Sequence, residues 1–327
     1  MSGYTHYAES ISATMLKQYV AVGVIVNHQQ QVLISKRKKN QHLADRWEFP
    51  GGKLEAGESY KLALRRELAE ELGITIHKAS KLIDTHYQYP DRLLHIQFFK
   101  ITEFSGNVQS NESQQLRWVN INELNAIQFP PANRAVIDAI VFPSSYMIAD
   151  EEVIGEELIP VVKFQLQAGI RLIQHRAGRV KKSQYLNHAS EIKSLCEQYG
   201  AKVIANCSQD WLDDFDHHGI HLTSQRLREM HQESNNLVHP EVFSASCHNE
   251  EEIEIANQLS VRCQLIGPVN ATKSHPGINA LGWKRFGQLC VLSNAPVYAL
   301  GGMRINDYKT ALMHGAQGIA AIRAFTN

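Results

Sequence analysis

The sequence has no excess of charge of either sign and no long apolar run. Its 33 lysine and arginine residues balance 33 aspartate and glutamate residues, so no broad attraction to nucleic acid or to an anionic membrane is expected. No apolar stretch approaches the length of a membrane-spanning helix, and the N-terminus lacks the pattern of a signal peptide. Direct binding to nucleic acid and insertion into a membrane are therefore not expected.

Cysteine is scarce and confined to the second half of the chain. The five cysteines form no C-x-x-C pair, which argues against a zinc site and against a disulfide framework. We expect reduced, mostly buried thiols in a cytoplasmic protein. With 327 residues, 43% of them hydrophobic and 20% charged, the chain has the size and composition of two globular domains. Its oligomeric state is left open.

Local patterns divide the chain into four segments. Residues 1–16 are predicted to be a flexible extension, with an ordered first helix as the alternative. Residues 17–142 form a first domain, 143–145 a linker and 146–327 a second domain. In the first domain, an α/β fold with a mixed sheet between helices is predicted from strands at 19–27, 31–36, 93–101 and 116–119 and from helices at 59–72 and 131–141.

The second domain alternates short apolar segments with helical patterns. Eight such units predict a compact (β/α)8 barrel, and an open doubly wound sheet is the alternative. Because the sequence stops at Asn327, just past the eighth strand, the last outer helix is expected to be missing. The predicted strands are 146–149, 172–175, 202–206, 219–222, 243–246, 264–267, 297–300 and 318–322.

An acidic helix is predicted in the first domain. Residues 59–72 contain no glycine or proline and are rich in good helix formers, and Gly73 follows where a C-cap is expected. Glu70 and Glu71 lie three and four residues after Glu67, so all three side chains face roughly the same way. Such a cluster is costly unless a cation neutralises it, and oxygen ligands favour Mg²⁺ or Mn²⁺.

The residues before this helix support the same interpretation. Arg66 and Glu58 are placed to pair and to brace the preceding loop against the helix. Gly51 and Gly52 allow the backbone to approach a metal ion or a phosphate in a tight turn. The alternative is a solvated acidic helix face without a ligand, which is the usual interpretation of an isolated E-x-x-E-E.

Residues 52–74 match the pattern G-x5-E-x7-R-E-U-x-E-E-x-G-U, in which U is aliphatic, at every specified position. On this motif the segment resembles the Nudix hydrolases. Residues 17–140 as a whole are similar to the MutT branch of that family, the bacterial 8-oxo-dGTP diphosphatases. The further segments that carry this similarity are 21–25, 35–37, 47–53, 89–92 and 129–133.

The resemblance implies a metal site built from carboxylates and one carbonyl group. Its ligands would be the Gly51 carbonyl, Glu67, Glu70, Glu71 and Glu112. Either Glu67 or Glu112 would be the catalytic base that removes a proton from the attacking water. The structural positions of the motif would be Gly52, Glu58, Arg66 and Gly73.

The resemblance also implies a nucleotide site. Asn133 and Arg92 would recognise the oxidised purine, with help from the Phe49 backbone, and Arg37 would contact the nucleotide. An asparagine amide offers both a donor and an acceptor, so it can match a purine edge. The alternatives are that Asn133 caps the helix that follows it and that Arg92 is an exposed turn residue.

The second domain is similar to the thiamine phosphate synthase and TenI family, which is built on a (β/α)8 barrel. Gly301 and Gly302 would bind a phosphate through backbone N–H groups, and Arg323 would add a positive charge. A thiamine-related phosphate ligand is therefore expected at the barrel. The segments that carry the similarity are 146–150, 173–176, 219–222, 244–248, 267–273 and 299–303.

Several positions depart from that family's pattern. Cys207 follows Asn206 where the synthase has an aspartate, no acidic residue occurs in 223–226, and 176–178 lacks the synthase lysine. Without these carboxylates Mg²⁺ has no evident site and diphosphate departure loses its electrostatic help. Pro268 replaces the TenI loop histidine. We interpret the barrel as a degenerate phosphate-binding domain, and the remaining loop histidines, His248 and His275, as structural.

The leading hypothesis is Mg²⁺-dependent hydrolysis of 8-oxo-dGTP and related oxidised purine nucleoside triphosphates. The products would be the monophosphate and pyrophosphate, and the reaction would serve DNA replication fidelity and repair by cleaning the nucleotide pool. The alternative keeps the Nudix reaction but acts on thiamine diphosphate or on thiamine-precursor diphosphates. In that case the barrel would be a synthase-like enzyme or a sensor.

Overall fold

The computed structural model describes residues 16–39, 43–233, 242–272, 277 and 279–326. The chain divides into two compact units, Met1–Val141 and Phe142–Asn327. The proposed extension lies outside the described residues except for Leu16, which opens the first strand. No helix in the described part of the chain is long and apolar enough to cross a membrane.

The N-terminal unit contains seven strands within its described residues. They are β1 Leu16–Ile25, β2 Gln31–Lys36, β3 Trp47–Glu48, β4 Gly51–Lys53, β5 Thr75–Gln88, β6 Arg92–Ser105 and β7 Leu116–Asn120. They form two sheets, with the orders β4-β1-β6-β5 and β3-β2-β7, instead of the single predicted sheet. The helices are α1 Tyr60–Leu72 and α2 Arg134–Val141, and the 3-10 turns are Ile121–Ala126 and Pro131–Asn133.

Two parts of this unit differ from the sequence-based prediction. Where a tight turn was expected before the acidic helix, the structure has two short strands, β3 and β4. Strand β4 runs antiparallel to β1, and its Gly51 and Gly52 lie opposite Val22 and Ala21. The long strand β5 is missing from the predicted set. It lies at a sheet edge and is largely polar, so its residues lack the alternation that identifies a half-buried strand.

The acidic helix α1 has well-defined ends. The Ser59 side chain accepts a hydrogen bond from the Leu62 N–H at 3.4 Å, and Gly73 ends the helix with a left-handed φ of 69°. Leu62 is 55% exposed. Ala63, Leu64, Leu68 and Leu72 form the buried face of the helix, and Glu67 and Glu71 lie partly buried beside it, whereas Glu70 is exposed.

The C-terminal unit is a closed barrel of parallel strands in chain order. This confirms the predicted barrel and excludes the open sheet. Its strands are β8 Ser145–Asp150, β9 Leu172–Arg176, β10 Lys202–Asn206, β11 Ile220–Leu222, β12 Val242–Cys247, β13 Cys263–Ile266, β14 Val297–Leu300 and β15 Gly318–Ala321. Its helices are α3 Glu151–Ile154, α4 Leu158–Gln167, α5 Lys182–Gln198, α6 Ser224–Glu233, α7 Glu250–Gln258, α8 Gly282–Cys290 and α9 Tyr308–Met313, and its 3-10 turns are Gly155–Glu157, Gln209–Asp214, Ile305–Asp307 and Arg323–Phe325.

The two ends of this unit refine the expected boundaries. Phe142, expected in the first domain, stacks on Phe243 with ring centroids 5.0 Å apart, and Ser145, expected in the linker, already belongs to β8. After β15 the described chain makes a 3-10 turn at Arg323–Phe325. Phe164 on α4 is 63% exposed.

Candidate active site

Arg66 is the centre of the charged network on the acidic helix. Its guanidinium makes a two-pronged pair with Glu58, at 3.1 and 2.9 Å. It also donates to Glu67 at 2.8 Å, to Glu70 at 3.3 Å and to the Lys53 carbonyl at 3.0 Å. The hydrogen bonds from Arg66 hold the pKa of Glu58 below its ordinary value. One arginine therefore links β4, the following loop and the helix, and it orients two predicted metal ligands.

Two of the helix carboxylates are partly buried against β4. Glu71 accepts a hydrogen bond from the Gly51 N–H at 3.1 Å, and burial raises its pKa to about 7. Burial also raises the pKa of Glu67, although the Arg66 hydrogen bond opposes the shift. A Cβ atom at Gly52 would overlap the Glu67 carboxylate. The glycine is therefore needed because this carboxylate lies directly against the strand.

The loop between β6 and β7 brings Glu112 towards this group. Its carboxylate pairs with Lys38 at 2.8 Å and is 43% exposed. The charge of Glu112 also contributes to the raised pKa of Glu67, so the two carboxylates lie within electrostatic reach. The structure thus brings this loop residue to the same region as the helix glutamates.

The donor set of this region suits a hard divalent cation. All of the side chains that could bind a metal ion here are carboxylates. Burial destabilises the charged form of two of them, Glu67 and Glu71, and a bound cation would offset that cost. In the described part of the chain, no group of three or more acidic, histidine or cysteine side chains forms a preorganised metal site. Arg66 and the Gly51 N–H instead hold the oxygens of Glu67 and Glu71, so metal binding would exchange these partners.

Tyr89 lies at the meeting point of the predicted nucleotide-binding residues. The Arg92 guanidinium carbon is 6.0 Å from the centre of its ring. The Tyr89 oxygen accepts a hydrogen bond from the backbone of Ala132, the neighbour of Asn133. Burial raises the pKa of Tyr89, and the nearby charge of Arg37 opposes this shift. Three residues that are far apart in the sequence therefore converge around one tyrosine.

The other nucleotide-site residues have clear structural settings. Phe49 is buried and stacks on Phe129 with ring centroids 5.2 Å apart. Asn133 is the last residue of a 3-10 turn, and its side chain makes no hydrogen bond to another described residue. Arg92 pairs with Asp91 at 2.8 Å. The Asn133 amide is therefore available for an outside partner and is not used as a helix cap.

Glu48 is a candidate site residue that the sequence-based reasoning missed. It pairs with Arg37, burial raises its pKa, and its charge acts on Glu71. It therefore connects the carboxylate group to the nucleotide-binding residues. Its position directly before Phe49 was the available signal. Tyr89 had a similar signal, because it lies three residues before Arg92.

The barrel holds a cavity of about 900 Å³ at the carboxyl ends of its strands. Gly301 and Gly302 line it with positive φ values of 93° and 65°. A Cβ at Gly302 would lie 2.7 Å from the Ala271 carbonyl oxygen, so only glycine fits beside that loop. Arg323 lines the same cavity. The three residues predicted to bind a phosphate thus share one site.

The charge of this cavity is unbalanced. Among the described residues that line it are three arginines and two histidines, and there is no aspartate or glutamate. Arg176 is partly neutralised by Asp150 at 2.8 Å. The absence of lining carboxylates agrees with the departures at Cys207 and 223–226, and the cavity favours an anion over a metal ion.

The floor of the cavity is polar and uncharged. His221 lies between Ser244 and Ser246 at 2.8 and 2.9 Å, and burial lowers its pKa to about 3, so it is neutral near pH 7. Gln174 accepts a hydrogen bond from Asn206 at 2.8 Å. The Gln174 Nε2 lies near the Tyr146 hydroxyl but makes no hydrogen bond of normal geometry, which leaves a buried donor at the cavity floor.

Of the two loop histidines, His248 lies in the described part of the chain. His248 bonds to Glu252 at 2.9 Å through its side chain, as its structural interpretation predicts. His275, together with Lys273 of the similar segment 267–273, lies outside the described residues.

Two family models match the chain, one in each unit. A model described as NUDIX domain matches residues 21–139. A model described as thiamine monophosphate synthase matches residues 145–325, which is more than half of the chain. The two matches divide the chain where the two compact units meet.

Similar curated proteins are found for both parts. An 8-oxo-dGTP diphosphatase of Escherichia coli (strain K12) is 40% identical over 123 residues, which cover 38% of this chain and 95% of that protein. A CTP pyrophosphohydrolase of the same strain is 32% identical over 128 residues, which cover 38% of this chain and 93% of that protein. A putative thiamine-phosphate synthase 2 of Aquifex aeolicus (strain VF5) is 28% identical over 184 residues, which cover 56% of this chain and 97% of that protein.

Proposed function

Because the chain belongs to the Nudix family through residues 21–139 and to the thiamine monophosphate synthase family through residues 145–325, we propose that its N-terminal unit is a Mg²⁺-dependent 8-oxo-dGTP diphosphatase. It would convert 8-oxo-dGTP and related oxidised purine nucleoside triphosphates to the monophosphate and pyrophosphate. By removing this substrate from the nucleotide pool, the reaction would serve DNA replication fidelity and repair.

One observation carries this proposal. Arg37 pairs with Glu48, which lies within electrostatic reach of Glu71, and Arg37 is also within electrostatic reach of Tyr89, whose ring centre is 6.0 Å from the Arg92 guanidinium carbon. Neighbouring polar groups therefore extend from the acidic helix towards the purine-binding candidates. A triphosphate nucleotide has the same order of chemical groups, with phosphates at one end and a base at the other.

The residues of the acidic group would have distinct roles. A bound divalent ion would neutralise the phosphates and acidify a water molecule. The Gly51 carbonyl, Glu67, Glu70, Glu71 and Glu112 are the proposed ligands. Glu67 or Glu112 would take the proton from the attacking water.

Asn133 would provide the discrimination between oxidised and normal purine. The edge of 8-oxoguanine carries a protonated N7, whereas guanine has an acceptor there. A side chain that pairs with the protonated form is left with an unpaired polar group when guanine enters, which costs about 1–3 kcal/mol. Arg92 and the Phe49 backbone would complete this recognition, and Arg37 would contact the nucleotide.

A substrate panel tests the proposal directly. We expect kcat/KM for 8-oxo-dGTP to exceed the values for dGTP, CTP and thiamine diphosphate when Mg²⁺ or Mn²⁺ is present, and all hydrolysis to stop when the metal is chelated. Preference for thiamine diphosphate would instead support the second candidate, which the attached thiamine-type barrel favours. Preference for CTP or dGTP would contradict both.

For the barrel, we propose binding of a phosphate-containing, thiamine-related ligand without synthase activity. The support is a positively charged cavity that has Gly301, Gly302 and Arg323 on its lining and no described lining carboxylate. Incubation with a pyrimidine diphosphate and thiazole phosphate should yield no thiamine phosphate, while calorimetry should detect binding of thiazole phosphate. Arg323→Ala should weaken that binding about tenfold or more. Product formation would contradict the proposal.

A further inference from the structure

The loop that carries Glu112 is fastened to the end of the acidic helix. The Asn111 N–H donates to the Glu71 carbonyl at 3.0 Å, and the Asn111 side chain donates to the Glu70 carbonyl at 3.0 Å. The Gln109 N–H donates to the Leu72 carbonyl at 3.2 Å. These bonds satisfy carbonyl groups that have no partner within the helix. The backbone of the loop is thus held in place, but none of these bonds orients the carboxylates themselves.

Gln114 is the side chain that connects the two carboxylates. Only 7% of the residue is exposed. Its Nε2 donates to Glu112 at 3.4 Å, and its side chain also hydrogen-bonds the Glu71 carboxylate. An amide nitrogen has two hydrogens, so these two acceptors use both of them. The amide cannot be reversed, because its oxygen would then face two carboxylates.

The remaining atom of this amide has no partner among the described residues. The Gln114 Oε1 is buried and makes no hydrogen bond. A buried acceptor without a donor costs about 1–3 kcal/mol, and such an atom beside two proposed metal ligands points to a donor that comes with the ligand. Water bound to a divalent cation is a strong donor of this kind.

We infer that Gln114 is a positioning residue of the metal site. Its Nε2 holds the Glu71 and Glu112 carboxylates at a fixed separation, and its Oε1 accepts a hydrogen bond from water on the bound cation. This inference rests on the proposed metal-dependent function. It also assigns different roles to two neighbouring residues of the same type, because Gln115 is exposed and directs no side-chain bond to this group.

The test compares Gln114→Met with Gln115→Met in the full chain. Methionine is close to glutamine in length but cannot donate a hydrogen bond. Electron paramagnetic resonance measures free Mn²⁺ and so gives the dissociation constant of each protein for this ion. The constant should be 10- to 100-fold higher than wild type for Gln114→Met and within about twofold of wild type for Gln115→Met. The Mn²⁺ concentration for half-maximal hydrolysis should rise in parallel, while KM for the nucleotide changes little.

A second variant guards against a folding defect. Gln114→Asn keeps an amide but is too short to reach both carboxylates, so it should show the same loss of Mn²⁺ affinity at a near-normal melting temperature. Equal Mn²⁺ affinity in the Gln114 variants and Gln115→Met would overturn the inference. A wild-type chain that binds Mn²⁺ but does not hydrolyse 8-oxo-dGTP would refute the proposed function alone, because the comparison of Mn²⁺ affinities would still stand.

Discussion

Replacing Gly52 by alanine tests how closely the Glu67 carboxylate must approach strand β4. The new Cβ would overlap that carboxylate, well inside the 3.0 Å that Cβ atoms in proteins keep from other heavy atoms. Only the end of a flexible side chain stands in the way, and Gly52 has no positive φ. The chain should therefore fold normally while Glu67 moves aside.

The size of the effect follows from that displacement. The carboxylate has to move by about 1 Å, and a misplacement of this size can reduce a rate by about 10²-fold. This corresponds to about 2.7 kcal/mol of transition-state stabilisation. By contrast, a Cβ at Gly51 would meet backbone atoms of β1 at a φ of 146°, so Gly51→Ala should destabilise the fold itself.

Steady-state hydrolysis of 8-oxo-dGTP, measured by pyrophosphate release, provides the assay. Gly287→Ala is the matched control, because its Cβ would be at an ordinary distance of 3.4 Å from His314 in the other unit. We expect kcat to fall about 10²-fold in Gly52→Ala only, with both melting temperatures close to wild type. Unchanged kcat in a folded Gly52→Ala variant would refute the assignment of Glu67 to the reacting centre.

Three further predictions concern other groups. Glu67→Gln should lower kcat by about 10²–10⁴-fold with little change in fold, and near-normal turnover in a pre-steady-state assay would contradict this role. Asn133→Ala should reduce the preference for 8-oxo-dGTP over dGTP by about 5- to 150-fold, measured as the ratio of kcat/KM values, and an unchanged ratio would assign recognition elsewhere. In the barrel, burial would raise the pKa of Glu151, but its hydrogen bonds from His175 and His188 hold it below its ordinary value, and burial lowers the pKa of His175. Glu151 therefore contributes stability above its unfolded pKa of 4.5, and His175 above its unfolded pKa of 6.5, and each contribution is lost as pH falls through the folded pKa. Because Glu151→Gln removes the contribution that is lost below pH 4.5, the barrel's melting temperature should fall more steeply in wild type than in this variant below pH 4.5, and equal slopes there would contradict the pairing.

The local patterns that predicted structure well were those in which one short segment carries its own signal. The acidic helix had good helix formers, a cap and glutamates at fixed spacing, and it forms at Tyr60–Leu72. The barrel strands were predicted from short apolar runs, because parallel strands buried on both faces are almost continuously apolar. The edge strand β5 was not predicted, because its largely polar and exposed residues form neither an apolar run nor a regular alternation.

The candidate site was only partly visible in the sequence. Spacing along the chain placed Glu67, Glu70 and Glu71 together and predicted the pair of Arg66 with Glu58. It did not show that Arg66 also bonds to Glu67 and Glu70. Tyr89 and Glu48 became site residues only when β2, β3 and the turn before β6 met. Long-range contacts of this kind depend on register and packing between segments, which local spacing does not contain.

The sequence by itself determined the reaction class and the two architectures. Helix periodicity fixes which glutamates share a face, and short, almost continuously apolar runs mark the segments that can build a parallel barrel. The tertiary structure decided which side chains act together. It selected Gln114 over the identical Gln115, because the position of the loop against helix α1 buries one amide between two carboxylates and leaves the other exposed.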